Sequence, residues 1–302
     1  GFEAGLAVTT GTLNTIVGGL AGDALTTGSS NTVIGQEALT TETTGTLNVA
    51  IGREALRYSA LSNKSIGIGY AALQAQANSS LTDTYNVAIG HIAGSSITTG
   101  VNNTIMGGLA GDALTTSTNN VLLGYEAGTN ATIGNSNTAV GFQALYANVA
   151  GDRNVAVGTG ALTFMTSAST ADTYNVAVGY QAGGSVTTGT AETLGDRNVA
   201  IGVNALNAQN NTSDVDAYNV AIGYEAGQRI TTGVRNTLIG SLAGDAITSG
   251  SDNLVLGYNA GGAMTSAQQN TAVGAYAADS ITSGTANVAL GYNALTTSVD
   301  GD

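Results

Sequence analysis

The chain of 302 residues contains no cysteine, proline or tryptophan, one histidine (His91) and one lysine (Lys64). Without cysteine, disulfides cannot supply stability, thiolate metal sites have no ligands, and the redox compartment leaves no trace. A single histidine without cysteine leaves no material for a catalytic triad or a zinc site. Six arginines and Lys64 stand against 20 acidic residues, a formal net charge of −13. Nucleic acid requires clustered cations on its phosphates, and anionic lipid requires a basic face, so both are excluded as partners of this segment. No apolar run reaches the ~18 residues that mark a membrane span, and no signal peptide is visible. Lys64 follows Asn63 rather than a glycine, so the chain has no Gly-x-x-x-x-Gly-Lys phosphate loop.

What is present is regular. Hydrophobic residues make up 42% of the chain, mostly Ala, Val, Ile and Leu, while aromatics make up 5% and Gly occurs 44 times. A core can form, and it should be thin and built from small side chains. An Asn-x-x-x-Gly element begins at Asn14, Asn31, Asn48, Ser65, Asn86, Asn103, Asn120 and Asn137. It continues from Asn154, Asn175, Asn198, Asn219, Asn236, Asn253, Asn270 and Asn287. Most intervals equal the step from Asn14 to Asn31; three match the longer step from Ser65 to Asn86, and the step from Asn175 to Asn198 is longer still. None is shorter, so extra residues enter a fixed frame. With the Asn as position 0, position 4 is Gly and position 7 is Ala in all 16 units. Position 3 is always Val, Ile, Leu or Met, and position 8 is Gly or Leu except at Ala278. Many units reach Thr-Thr-Gly or a variant at positions 12 to 14, as at 26–28 and 98–100. A longer period relates the run from Tyr85 to that from Tyr218, which reads as block duplication. Gly1, Ala4 and Gly5 fall on positions 4, 7 and 8 of a partial first unit. Neither end carries a polar capping unit, so residues 1–302 are expected to be one continuous solenoid segment of a longer fibre protein.

Seventeen residues are too few for two helices, and no 3.6-residue period is present. Positions 1 to 3 are strand formers, a second extended piece is expected over positions 11 to 13, and Gly at positions 4 and 14 suits corners. The spacing predicts an all-β fold, a parallel β-solenoid of 17-residue rungs stacked about 4.8 Å apart, roughly 75–80 Å for 16 rungs. The Asn column reads as a turn ladder, each amide bonding to backbone or to the next Asn, with a ligand-binding row as the other reading. Position 3 is expected to point into the core, which sends apolar position 2 outward. Such a stripe is costly in water, and its burial against identical chains predicts a parallel homo-oligomer, expected to be a homotrimer.

Asn-Thr-Ala-Val-Gly-Phe-Gln-Ala-Leu at 137–145 and Asn-Val-Ala-Leu-Gly-Tyr-Asn-Ala-Leu at 287–295 resemble repeats of bacteriophage tail fibres. The Asn-x-Ala-x-Gly-x-x-Ala core is also similar to head repeats of trimeric autotransporter adhesins. The resemblance covers nearly the whole chain and implies a trimeric β-roll. Adhesin head units are usually shorter than the repeat found here, which favours the tail fibre.

No catalytic, metal or cofactor constellation emerges. His91 takes a position held by Tyr, Gly or Gln elsewhere, and Asp23, Asp112 and Asp245 lie several rungs apart at position 9. The Thr column that could order water on a flat solenoid is broken at 60–61 and 132–133. Tyr at position 5 reads either as corner packing or as a sugar-stacking row. The inserted residues stand out most. Three 21-residue units end at Asp83-Thr84-Tyr85, Asp172-Thr173-Tyr174 and Asp216-Ala217-Tyr218. Loops on rigid scaffolds carry binding, so Asp83, Tyr85, Asp172, Tyr174, Asp216 and Tyr218 are candidate receptor contacts, or else they dock each loop on the rod. The expected function is the non-enzymatic shaft of a trimeric attachment fibre on a virion or at a cell surface. It would present elements that bind a host glycan or protein receptor. The alternative is a bacterial adhesin head that itself binds matrix or glycan.

Overall fold

The computed structural model describes residues 1–165, 172–184, 187–188, 197–211 and 216–297. Its contacts group the chain into two compact units, Gly1–Gln143 and Ala144–Asp302. Each is a parallel β-solenoid, and among the described residues there is no helix.

In the first unit, strands Thr15–Val17, Thr32–Ile34, Val49–Ile51, Ile66–Ile68, Val87–Ile89, Thr104–Met106, Val121–Leu123 and Thr138–Val140 pair in that order, all parallel. In the second, Val155–Val157, Val176–Val178, Val199–Ile201, Val220–Ile222, Thr237–Ile239, Leu254–Leu256, Thr271–Val273 and Val288–Leu290 do the same. Every strand is positions 1 to 3 of one repeat. The register ignores the insertions: Ile66 pairs with Val87 and Val176 with Val199, although extra residues lie between the partners in both cases.

Glycine at position 4 meets two demands at once. Its φ lies between 120° and 145° wherever it recurs, a region closed to a side chain. A Cβ on Gly18 would also strike the carbonyl carbon of Gly35, 2.6 Å away, and the same clash repeats coil after coil. Position 14 differs from the expectation. Gly28 and Gly250 have no left-handed φ; their missing Cβ instead makes room for the carbonyl oxygen of the next coil. The left-handed residues sit elsewhere, at positions −1, 6 and 8, and most are not glycine: Lys64, Leu39 and Glu54 have φ of 58°, 52° and 61°. Each costs roughly 1–2 kcal/mol, which the hydrogen bonds between coils must offset.

The side-chain alternation is opposite in phase to the sequence reading. Position 2 is the buried one, and Val33, Ala50, Ala88, Ile105, Leu122 and Ala139 are fully or almost fully enclosed. Position 3 points outward, with Val17, Met106 and Ile239 among the exposed large hydrophobics. The cause is interior width. The invariant Ala of position 7 and one bulky group from position 8 or 11 already fill the coil, so position 2 is held by Ala in most coils and the larger residue is left outside.

That bulky group comes from one position or the other. Coils with Gly at position 8 (Gly22, Gly94, Gly111, Gly227, Gly244, Gly261) carry Leu25, Ile97, Leu114, Ile230, Ile247 and Met264 at position 11. Coils with Leu at position 8 (Leu39, Leu56, Leu73, Leu145, Leu206) carry Glu42, Ser59, Gln76, Asn148 and Gln209 there. Leu162 with Met165 departs from the pattern, as does Gly128 with Ala131, where Leu122 at position 2 reaches into the space instead. A Cβ on Gly94 would lie 3.2 Å from Cδ1 of Ile97, and one on Gly261 would lie 2.9 Å from Sδ of Met264. The two residues compete for one volume in a close-packed core.

The second extended piece is largely absent. In most described coils positions 12 to 14 form a bend, and in several the N–H groups converge on a single carbonyl. Thr26, Thr27 and Gly28 all donate to the Thr43 oxygen at 2.8, 3.2 and 3.4 Å, and such sharing cannot propagate as a regular ladder. Strand pairing here occurs where a long coil takes part, between Ala60–Asn63 and Ala77–Asp83 and between Thr187–Thr188 and Asn210–Asn211.

Candidate functional site

The asparagine column is a buried relay. Asn31 donates from its backbone N to Oδ1 of Asn14 at 2.9 Å and from Nδ2 to the same oxygen at 3.1 Å, while Nδ2 also reaches the Gly45 carbonyl at 2.9 Å. The same set recurs at Asn103, Asn236, Asn253 and Asn270. Buried amides with satisfied donors and acceptors hold structure, as the turn-ladder reading expected, and leave no row of free groups for a ligand.

Position 11 polar residues act locally. Glu42 is fully buried without a cation. Its Oε1 accepts from the N–H groups of Thr43, Thr44 and Gly45 at 3.1, 3.2 and 2.8 Å and from Leu61 at 3.2 Å. Its Oε2 accepts from Ser62 N at 2.9 Å. Five backbone donors replace the water that a carboxylate would lose on burial. The threonines of position 12 are likewise committed: Thr98, Thr115, Thr231 and Thr248 donate their hydroxyls to the carbonyl of the next coil at 2.9–3.2 Å.

The six candidate contact residues lie at the bases of the inserted loops, and the structure ties each pair to a cation of the coil before. Lys64 Nζ is 2.6 Å from Asp83 Oδ2 and 3.0 Å from the Tyr85 hydroxyl, and lies 4.9 Å from the centre of the Tyr85 ring. The Asp83 hydrogen bond raises the Lys64 pKa, and the Lys64 hydrogen bond lowers that of Asp83. Arg153 pairs with Asp172, whose Oδ2 also accepts from the Tyr174 hydroxyl at 3.0 Å. Arg197 pairs with Asp216, which accepts from the Tyr218 hydroxyl at 3.1 Å. The Arg197 guanidinium lies 5.6 Å from both the Tyr174 and the Tyr218 ring centres, a cation between two aromatic faces. The Asp and Tyr of each insertion thus close the long coil onto its predecessor, which is the docking role. All three tyrosines remain exposed.

The extra residues of the coil at Ser65 bulge from the strand Ala77–Asp83, where pairing jumps from Ala60–Ala77 to Ser62–Thr82 and leaves Leu81 exposed. Much of the other insertions, including 166–171, 189–196 and 212–215, lies outside the described residues.

Among the described residues, no three His, Asp or Glu side chains gather as a metal-ligand set. His91 is exposed and stacks on Tyr70, ring centres 5.3 Å apart. Asp23, Asp112 and Asp245 each bury one carboxylate oxygen without a partner, a feature the sequence did not signal. Burial raises the pKa of Asp112 and Asp245, and Arg229 partly counters the effect at Asp245.

No family model, curated protein or solved structure matches this chain.

A repeating apolar face is the remaining feature of the site. On the outward face of the strands, position 1 is Thr, Val, Ile or Leu and position 3 is Val, Ile, Leu or Met in all 16 repeats. Leu13 and Leu47, at the residue before the column, add to the apolar area.

Proposed function

We propose that the chain is a non-enzymatic shaft segment of a homotrimeric attachment fibre, a virion tail fibre or a comparable extracellular appendage. The observation that carries the reading is the apolar outward face of the strands. It repeats at every coil, and neither of its two strand positions ever holds a charged residue. Contiguous exposed apolar surface beyond a few hundred Å² marks an association site. Identical coils in three parallel chains would present identical stripes to one another at the same pitch, so the face is self-complementary. The buried Asn relay and the glycine stack then serve stiffness, and the shaft holds a receptor-binding element away from its base in three copies, which strengthens weak contacts. The inserted loops, clamped at Asp83, Asp172 and Asp216, are the places where such a shaft varies.

Multi-angle light scattering tests the reading. The wild-type chain is expected at the mass of three chains. Ile222→Glu with Leu256→Glu, both on the outward face, is expected to dissociate it while leaving the far-ultraviolet circular dichroism unchanged. A monomeric wild-type chain would sink the trimer.

A further inference from the structure

Position 5 follows the glycine corner and so leaves the strand face. In the second unit it alternates. Tyr180, Tyr224, Tyr258 and Tyr292 occupy every second coil, and Val203, Ser241 and Ala275 occupy the coils between. The four tyrosines are between 48% and 72% exposed, far more than core packing requires. With coils about 4.8 Å apart, the tyrosines recur at roughly 9.6 Å, separated by small side chains that leave the space between rings shallow.

The residue that follows each tyrosine completes the pattern. Gln181, Glu225, Asn259 and Asn293 stand at position 6, so an amide or carboxylate residue follows every ring, and Glu225 hydrogen-bonds Tyr224. Asn is tolerated at a left-handed φ, which accounts for Asn259 and Asn293 on conformational grounds. It does not account for Gln181 or Glu225, which have φ of 51° and 54°. One interval is already filled. Tyr276 lies between Tyr258 and Tyr292, with ring centres 5.4 and 6.2 Å away and its plane nearly perpendicular to both. That interval is closed by the chain's own ring, so the open stretch of the row runs from Tyr180 through Tyr224 to Tyr258.

We propose that this tyrosine row binds an extended, neutral, equatorially linked hexopyranose chain laid along the coils. Pyranose rings present apolar C–H faces to the tyrosines and hydroxyls to the neighbouring amides and carboxylate. An equatorially linked chain is extended and repeats every two sugars, which suits a contact every two coils; an axially linked chain coils away from that register. The net charge of −13 disfavours an anionic polymer. The proposal rests on the attachment reading and names its ligand class.

Isothermal titration of cellohexaose into the full chain tests it, with maltohexaose as the axially linked control. Saturable binding of cellohexaose alone is expected. Tyr224→Ser and Tyr258→Ser should each weaken it about two- to tenfold, as one aromatic contact does, and the double variant should abolish it. The rings are exposed, so folding should be unaffected, which circular dichroism checks. Absence of cellohexaose binding by the wild-type chain, equal binding of maltohexaose, or full binding by the double variant would each overturn the proposal. Light scattering on the same samples separates the two readings. A trimer that ignores the sugar defeats the tyrosine row alone, and a monomer that binds it defeats the shaft alone.

Discussion

Nδ2 of Asn86 donates to Oε1 of Gln76 at 3.0 Å, where an asparagine oxygen of the preceding coil serves the same purpose elsewhere in the column. Ser65 stands in that preceding coil and has no such oxygen. Its Oγ instead takes a hydrogen bond from Gln76 Nε2 at 2.5 Å and lies 2.5 Å from Thr84 Oγ1. Gln76, itself fully buried, thus rebuilds the relay across a gap.

Gln76→Ala is accordingly expected to cost about 1–3 kcal/mol, because it removes the acceptor of a buried Asn86 N–H and the donor to the buried Ser65 hydroxyl. Adding Ser65→Asn should restore part of that loss by returning the asparagine oxygen to the column. Urea unfolding of the two single variants and the double gives the coupling. Additive effects would show that Gln76 and Ser65 act independently.

The exchange between positions 8 and 11 gives a second expectation. Gly94→Leu places a side chain where Ile97, Ile105 and Leu73 already sit, at 3.0–3.3 Å from a Cβ, and should destabilise by about 1–3 kcal/mol through overpacking. The left-handed φ of 57° is one a leucine can adopt, as Leu73 does at 51° in the same position, at a further cost of roughly 1–2 kcal/mol. Gly94→Leu with Ile97→Gln should recover most of the overpacking part of the loss, reproducing the pairing of Leu73 with Gln76. A double variant as unstable as Gly94→Leu would refute the shared volume.

Asp112 supplies a pH dependence. Burial raises its pKa in the folded chain, with Glu126 adding to the rise, so folding disfavours the charged form. Its penalty is present at neutral pH and fades as pH falls through the raised value; below the unfolded carboxylate range both states are protonated. Asp112→Asn should therefore raise the melting temperature at neutral pH and lose its advantage in acid. The comparison must be made between the variant and the parent. Asp83 and Asp252, held below the usual range by Lys64 and Arg235, titrate with the opposite sign and cost the folded chain stability as pH falls. A thermal melt series from pH 3 to 7 checks it, and an advantage that persists in acid would contradict the burial argument.

The solenoid was legible because its constraints are one-dimensional. A fixed frame of Asn, Gly and Ala survives every insertion, and Asp83, Asp172 and Asp216 carried a visible sign of their docking role in the tyrosine two residues on. The phase of the strands was not legible. A bulky residue beside a small one ordinarily points inward, and only the narrowness of the coil, set by Ala55 and Leu56 together, reverses that order at Ala50 and Ile51. The need for Gly28 was misread for a related reason. Close approach and unusual φ both select glycine, and a sequence does not distinguish them. The pairing of Leu39 with Glu42, or Gly111 with Leu114, was written in the repeat. It becomes intelligible only when positions 8 and 11 are seen to share one space.

The amide column also gives the stack a polarity. Apart from the gap at Ser65, the asparagine backbone N–H groups of the column reach towards the coil before and the side-chain oxygens are taken by the coil after, so the two faces of such a coil are chemically unlike. A coil turned upside down would meet acceptor with acceptor. Blocks of repeats can be copied, lost or spliced only in the same sense, and a chain built this way can lengthen by duplication without ever having to design a new joint.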